Sequence, residues 1–186
     1  MLLRLGRRWR SLDVEPARVE RATVEHGTAG GRATGAVVDT TGGTVLRYLV
    51  TWDARWCTRS VDVERASGPP LALVADGQGG WADAAGSLPR LDGALDVDLA
   101  GSPLTNTLPI RRLRLPVGRS ADIVTAYIPD DGGPPRTSRQ RYERLGAMRY
   151  RYTSLDGDQD APFTALVDVD PVGMVERYEG LFARIP

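Results

Sequence analysis

The chain has 186 residues, 41% hydrophobic and 26% charged, which is a globular composition long enough for one domain with a substantial core. Its 24 basic residues, all arginine, balance 24 acidic ones to zero formal charge, so no general electrostatic drive toward nucleic acid or an anionic membrane exists. One cysteine, Cys57, and one histidine, His26, give neither a disulfide framework nor the ligands for a zinc site, so no metal or cofactor is expected.

The opening MLLRLGRRWR carries charges on both sides of a short apolar run and reads as neither a secretory signal nor an anchor. No apolar run approaches the roughly 18 residues of a spanning helix. The expected location is the cytoplasm, without membrane insertion. The absence of lysine reads as codon bias in a GC-rich genome; a bank of bidentate anion clamps is the functional alternative, and it would act only locally.

Frequent Gly and Pro punctuate short apolar runs, the mark of many strands joined by turns. Arg7 to Val14 reads as a first strand anchored by Trp9. Ala17 to Glu25 alternates weakly, and Pro16 also suits the start of a helical turn. His26 to Gly31 is a turn, and Gly35 to Asp39 a short strand. Thr44 to Trp52 alternates cleanly, with Leu46, Tyr48, Val50 and Trp52 on one face. Trp56 to Arg65 completes a hairpin with it.

Leu71 to Ala75 is apolar on both faces, which predicts a central strand. DGQGG at 76–80 then turns the chain into Trp81. Leu95, Val97 and Leu99 alternate with Asp96 and Asp98. A polar turn follows from Ser102 to Thr107, and Ile110 to Leu115 alternates as a strand. Ala121 to Ile128 is another strand. Arg136 to Leu145 lacks Gly and Pro, can be capped by Thr137 or Ser138 and ended by Gly146, and is the best helix candidate. Met148, Tyr150 and Tyr152 share a strand face before a DGDQD turn at 156–160. Phe163 to Val169 and Met174 to Tyr178 are the last predicted strands. Ten or more strands in so short a chain predict a mainly antiparallel β fold, a roll or barrel, with closure expected.

The chemistry concentrates between Leu91 and Leu115. Asp96 and Asp98 lie two apart on a strand, so they face one way with Cα atoms roughly 6.5 to 7 Å apart. That spacing suits an acid–base pair, but it equally suits a solvated face or carboxylates paired with Arg111 and Arg112, one of which can reach them. Thr105 and Asn106 are turn residues or polar contacts at a cavity rim. Trp56 and Trp81 are core residues or platforms for flat ligands, and Arg59 flanks Trp56. Tyr152 completes the candidate ligand-binding set. No nucleophile elbow, phosphate loop or dinucleotide fingerprint occurs.

The ordered segments YLVTWDARWCTRSVDV, DGQGGW, LPRLDGALDVDL, SPLTNTLPIRR, QRYERL, MRYRY and FTALVDVDPVGMVERYEGLFAR resemble the putative glycolipid-binding family over about Tyr48 to Arg184. The resemblance implies a mainly β spiral β-roll, a large antiparallel sheet wrapped around a single α-helix, as one domain over residues 1–186. It also implies a homodimer with elongated cavities. The function expected is binding of a hydrophobic or amphipathic, glycolipid-like small molecule, with Asp96, Asp98, Asn106 and one of the two arginines at its polar end. The alternative is a cofactor-independent hydrolase, isomerase or cyclase using Asp96 and Asp98 as the catalytic pair. A purely structural module is the third reading.

Overall fold

The computed structural model describes residues 3–157 and 161–186. Fifteen strands alternate with very little else. They are β1 (Leu3–Ser11), β2 (Arg18–Gly27), β3 (Gly30–Asp39), β4 (Thr44–Asp53), β5 (Thr58–Arg65), β6 (Leu71–Ala75), β7 (Trp81–Asp83) and β8 (Gly86–Ser87). After a 3-10 turn at Pro89–Leu91 come β9 (Asp96–Leu99), β10 (Ser120–Ile128), β11 (Arg136–Gly146), β12 (Arg149–Ser154), β13 (Thr164–Val169), β14 (Val175–Tyr178) and β15 (Phe182–Arg184).

All fifteen form one sheet in the order β8-β7-β6-β5-β4-β3-β2-β1-β15-β14-β13-β12-β11-β10-β9. Neighbours are antiparallel except β9 and β10, which run parallel. The order records two meanders that grow outward from β1 and are joined where β15 returns to pair with it, Trp9 opposite Arg184. The chain's last strand therefore sits at the sheet's centre, a pairing that the short LFARIP tail did not announce.

The sheet is an open roll; closure into a barrel does not occur. It curls until its β9 end lies over β5. There Thr58 N–H donates to Leu95 C=O at 2.9 Å, and Val97 N–H donates to Thr58 Oγ1 at 3.0 Å. Leu99 N–H likewise donates to Thr105 Oγ1. Threonine hydroxyls thus occupy the N–H groups of an edge that would otherwise offer itself to another strand. At the far end of the seam Arg65 donates to the carbonyls of Pro129 and Gly133 at 3.0 and 2.7 Å, tying the β5–β6 loop to the β10–β11 loop. Gly68 and Gly132 meet there so closely that a Cβ on Gly68 would stand 2.9 Å from the Cα of Gly132.

Inside the roll runs an 11-residue helical segment, a 3-10 turn at Pro103–Asn106 continuing into α1 (Thr107–Leu113). It spans roughly 18 Å. Pro103 opens the first turn, and Pro109 falls in the first turn of α1, where a missing N–H costs nothing. Arg114, in the left-handed region at φ 46°, ends the helix. Every residue from Pro103 to Ile110 is buried. Leu104 and Leu108, one helical turn apart, join the core formed by Trp9, Val24, Val50, Trp52 and Val61. Ile110 joins a second apolar cluster with Tyr142, Tyr150, Val167 and Val175. Each such aliphatic side chain contributes roughly 1.5–3 kcal/mol by leaving water.

Three polar ties position this segment. Just before it, Ser102 Oγ donates to Glu20 Oε1 of β2 at 2.6 Å, and Tyr48 of β4 donates to the same oxygen at 2.5 Å. In its middle, Asn106 Nδ2 donates to Tyr142 Oη of β11 at 3.0 Å. At its end, Arg112 forks onto Asp96 of β9, Nη2 to Oδ2 at 2.5 Å and Nε to Oδ1 at 3.1 Å. Asp96 is fully buried.

Two expected elements change places. Arg136–Gly146 is a strand and not the helix: Gln140 and Tyr142 are buried while Arg139 and Arg141 are exposed, a period of two. Pairing with β10 and β12 overrides the helix propensity of its Arg, Gln and Glu residues. Conversely the expected strand at Ile110 to Leu115 is largely the helix, because Leu104 and Leu108 set a period of four that the flanking prolines disguised. β6 is near an edge rather than central, and Val74 is exposed. In the expected 156–160 turn, residues 158–160 lie outside the described residues.

Burial pushes the Glu20 carboxyl up to about 7, against hydrogen bonds from Ser102 and Tyr48 and the Leu104 backbone. Between its ordinary value of 4.5 and about 7 the folded protein holds a proton that the unfolded chain has lost, so stability falls as pH rises through that window. Glu20→Gln is expected to remove this slope, worth about 3 kcal/mol across the window, in urea denaturation at a series of pH values; an unchanged slope would contradict the assignment. For the Asp96–Arg112 tie, Asp96→Leu or Arg112→Met alone should cost about 3–5 kcal/mol by leaving an unpaired buried charge. The double variant is expected to lose less than either single one in the same assay, and additive losses would show that the pair is not the helix anchor.

Candidate functional site

The roll has two ends, and they differ in chemistry. At the end where β2 begins and β9, β10, β12 and β14 finish, a pocket of about 310 Å³ opens. Its lining includes Ser11, Asp98, Ser102, Asn106, Tyr127, Tyr152 and Tyr178, with Val14, Leu99, Phe163, Leu181 and Phe182 as the apolar part. The helix start places Ser102 and Asn106; β9 places Asp98 beside them.

Asp98 is the electrostatic centre of this pocket. Gln140 Nε2 donates to its Oδ2 at 2.6 Å. Burial raises its pKa, opposed by hydrogen bonds from Gln140 and Thr105. Burial, and then the Asp98 charge, raise the phenols of Tyr127 and Tyr152; both also raise those of Tyr142 and Tyr178. Three of these tyrosines, Tyr127, Tyr152 and Tyr178, line the pocket with Asp98. Tyr152 centres an aromatic cluster: it meets Tyr142 edge-on at 5.6 Å and Tyr178 at 5.7 Å, and Phe163 lies 6.1 Å from it. The charged lining residues are Asp13, Arg18, Asp98 and Asp130, and Arg18 is ion-paired with Asp130. The pocket is thus acidic overall.

Of the residues singled out from the sequence, Asp98, Asn106 and Tyr152 meet in this pocket, and Thr105 stands behind it. The others lie elsewhere. Asp96 points the same way as Asp98 but is taken by Arg112, and neither carboxylate perturbs the other's pKa. Trp81 is buried with its Nε1–H on Ala94 C=O at 2.8 Å. Arg59 holds the carbonyl of Asp76 at 2.7 Å on the outer surface. Trp56 and Arg111 sit at the opposite end of the roll, in contact with one another.

Glu20, Gln140, Tyr127, Tyr178 and Phe163 are not among the site residues expected from the sequence. Gln140 and Tyr142 sat in the stretch read as a helix, which hid their shared inward face. Tyr178 ends β14, a signal legible only once β12, β13 and β14 are known to be neighbours. Glu20 carried a weak signal, an acid on the same strand face as Ala22 and Val24.

No helix among the described residues is long and apolar enough to cross a membrane. No protein with a curated description matches the chain. A family model described as "Putative glycolipid-binding" matches residues 7–184. Among solved structures, a DUF1089 family protein (PA1994) from Pseudomonas aeruginosa is similar at 37% sequence identity, with a TM-score of 0.70 over 99% of this chain and 92% of that one. On that match over nearly its whole length, the chain belongs to the putative glycolipid-binding (DUF1089) family.

Proposed function

We propose that this protein binds an amphipathic molecule with a neutral, polyhydroxylated head, a glycolipid or a similar glycoside, in the pocket around Asp98. The observation that carries the reading is the Asp98 carboxylate in one pocket with Tyr127, Tyr152 and Tyr178, together with an apolar set of Val14, Leu99, Leu181 and Phe182. A carboxylate, the Asn106 amide and the Ser102 hydroxyl accept and donate hydrogen bonds in the pattern sugar hydroxyls need. Tyr152, Tyr178 and Phe163 offer flat apolar faces to the C–H side of a pyranose ring. Val14, Leu99, Leu181 and Phe182 suit the first methylenes of a tail.

The charge of the lining selects among head groups. Asp98 and Asp13 have no arginine opposite them in the pocket, and the one guanidinium there is bound to Asp130. A phosphate or sulfate head would enter against this field, whereas a neutral sugar would not. The family description supports a glycolipid-type ligand. Binding is favoured over an Asp96–Asp98 acid–base reaction because Arg112 holds Asp96 as a structural anchor.

Octyl glucoside below its micelle concentration is a suitable probe. In isothermal titration it is expected to bind saturably, and Asp98→Asn should weaken it about tenfold, about 1.4 kcal/mol. Arg141→Gln, on the outer surface, should leave the affinity unchanged. Equal affinities in wild type and Asp98→Asn would remove Asp98 from the site.

A further inference from the structure

The opposite end of the roll carries a second constellation that the sugar pocket does not use. His26 and Trp52 are the penultimate residues of β2 and β4, Trp56 lies in the β4–β5 turn and Arg111 projects from α1. Trp52 Nε1–H donates to His26 Nδ1 at 3.1 Å. Nδ1 is therefore the acceptor nitrogen, and the imidazole proton sits on Nε2. Trp52 and His26, joined edge to edge, both stack on Trp56, with ring centroids 5.3 and 4.3 Å from it. The Arg111 guanidinium lies over the Trp56 ring at 5.0 Å.

Three features set this group apart from ordinary packing. Trp56 adopts φ 68°, a backbone conformation that a bulky side chain rarely takes and that stores strain where the surrounding structure requires it. The Arg111 head group has no hydrogen-bond or ion-pair partner among the described residues, while its stem runs against Gly173, which leaves no room for a Cβ. His26 and Arg111 are both only partly buried, and none of their side-chain nitrogens is among the buried, unpartnered polar atoms of the described residues. All the uncommitted polar atoms here are donors. The nearby carboxylates are engaged: Asp96 by Arg112, and Asp53 by the backbone N–H groups of Arg55 and Cys57. Arg114 and Arg144 line the adjoining groove, whose one acid, Asp170, is paired with Arg7.

We propose that His26 Nε2–H and the stacked Arg111 guanidinium form a binding site for a phosphate-type oxyanion, at the end of the roll away from the Asp98 pocket. The Trp52–Trp56 pair fixes the planes of both donors before the anion arrives, so little rotamer freedom is lost on binding. The anion supplies the acceptor that both donors lack, through charge-assisted hydrogen bonds. The site does not depend on the sugar reading, because none of its residues lines the Asp98 pocket.

The lone histidine of the chain makes the test direct, since its ring proton resonances are unambiguous in an NMR spectrum. Titration with inorganic phosphate at constant pH and ionic strength is expected to move the His26 signals saturably. Arg111→Gln should weaken the apparent affinity about tenfold. Arg111→Lys, which keeps the charge and the stem but loses the planar fork, should fall between the two. Arg141→Gln serves as the control for general charge and should titrate as wild type. Cosedimentation with phosphatidylcholine vesicles, with and without phosphatidic acid, separates the sources. A response to free phosphate assigns a soluble ligand, and an Arg111-dependent response to phosphatidic acid alone assigns a lipid head group. A linear, unsaturating shift with no Arg111-dependent vesicle binding would overturn the proposal, as would wild-type affinity in both Arg111 variants.

Discussion

A sheet of fifteen strands that stays open has an apolar inner face far too large to leave in water, and one buried helical segment is what it closes upon. Leu104 and Leu108 pack in a core drawn from both meanders, Val24, Val50 and Val61 with Leu99 and Ile128, and Ile110 packs in a cluster of the second, so the segment from Pro103 to Leu113 holds the two halves of the roll together. Its position is fixed by polar bonds whose cost of breaking is high in a dry interior. Ser102 hangs on Glu20, Asn106 on Tyr142, and Arg112 on Asp96. Glu20 is the least comfortable member, since its Oε2 has no partner and burial pushes its proton affinity up. The helix is thus tied at both ends and in the middle, and everything that lines the two ends of the roll is placed by it.

This arrangement gives the molecule a polarity. The start of the helical segment faces an acidic, aromatic pocket built on Asp98. Its other end presents Arg111, Arg112 and Arg114 beside a tryptophan–histidine stack. A chain of zero net charge therefore separates its charges along the axis of the roll, with carboxylates gathered where the strands β9, β10, β12 and β14 finish and guanidiniums where the helix stops. That separation could not be inferred from composition, because the sum is zero while the distribution is not.

The β class, most strand positions and the inward face of Leu46, Tyr48, Val50 and Trp52 were legible in the sequence, because alternation over half-buried strands is a local signal. The family resemblance supplied the roll and its single helix. What alternation could not supply was the helix's identity. Leu104 and Leu108 are only two apolar positions, and Pro103 and Pro109 read as turn markers when they are first-turn residues. The Arg136–Gly146 strand was hidden for the opposite reason, its residues being good helix formers held flat by two neighbouring strands. Of the pocket, Asp98, Asn106 and Tyr152 were found from residue type and spacing. Gln140, Tyr127 and Tyr178 were not, since they reach the pocket from strands whose neighbourhood depends on how the sheet is ordered. The pairing of Asp96 with Arg112 is one of the options the sequence offers, and only the helix geometry shows that it takes Asp96 and leaves Asp98 to Gln140 and the pocket.

The most direct test of the sugar-binding pocket is a comparison of native and denaturing mass spectra of freshly purified protein, in wild type and in Asp98→Asn. The expected result is a discrete, uncharged polyhydroxylated amphiphile that accompanies the native wild-type protein, leaves on denaturation and is depleted in the variant. A bare native mass that stays bare after incubation with alkyl glycosides would contradict it.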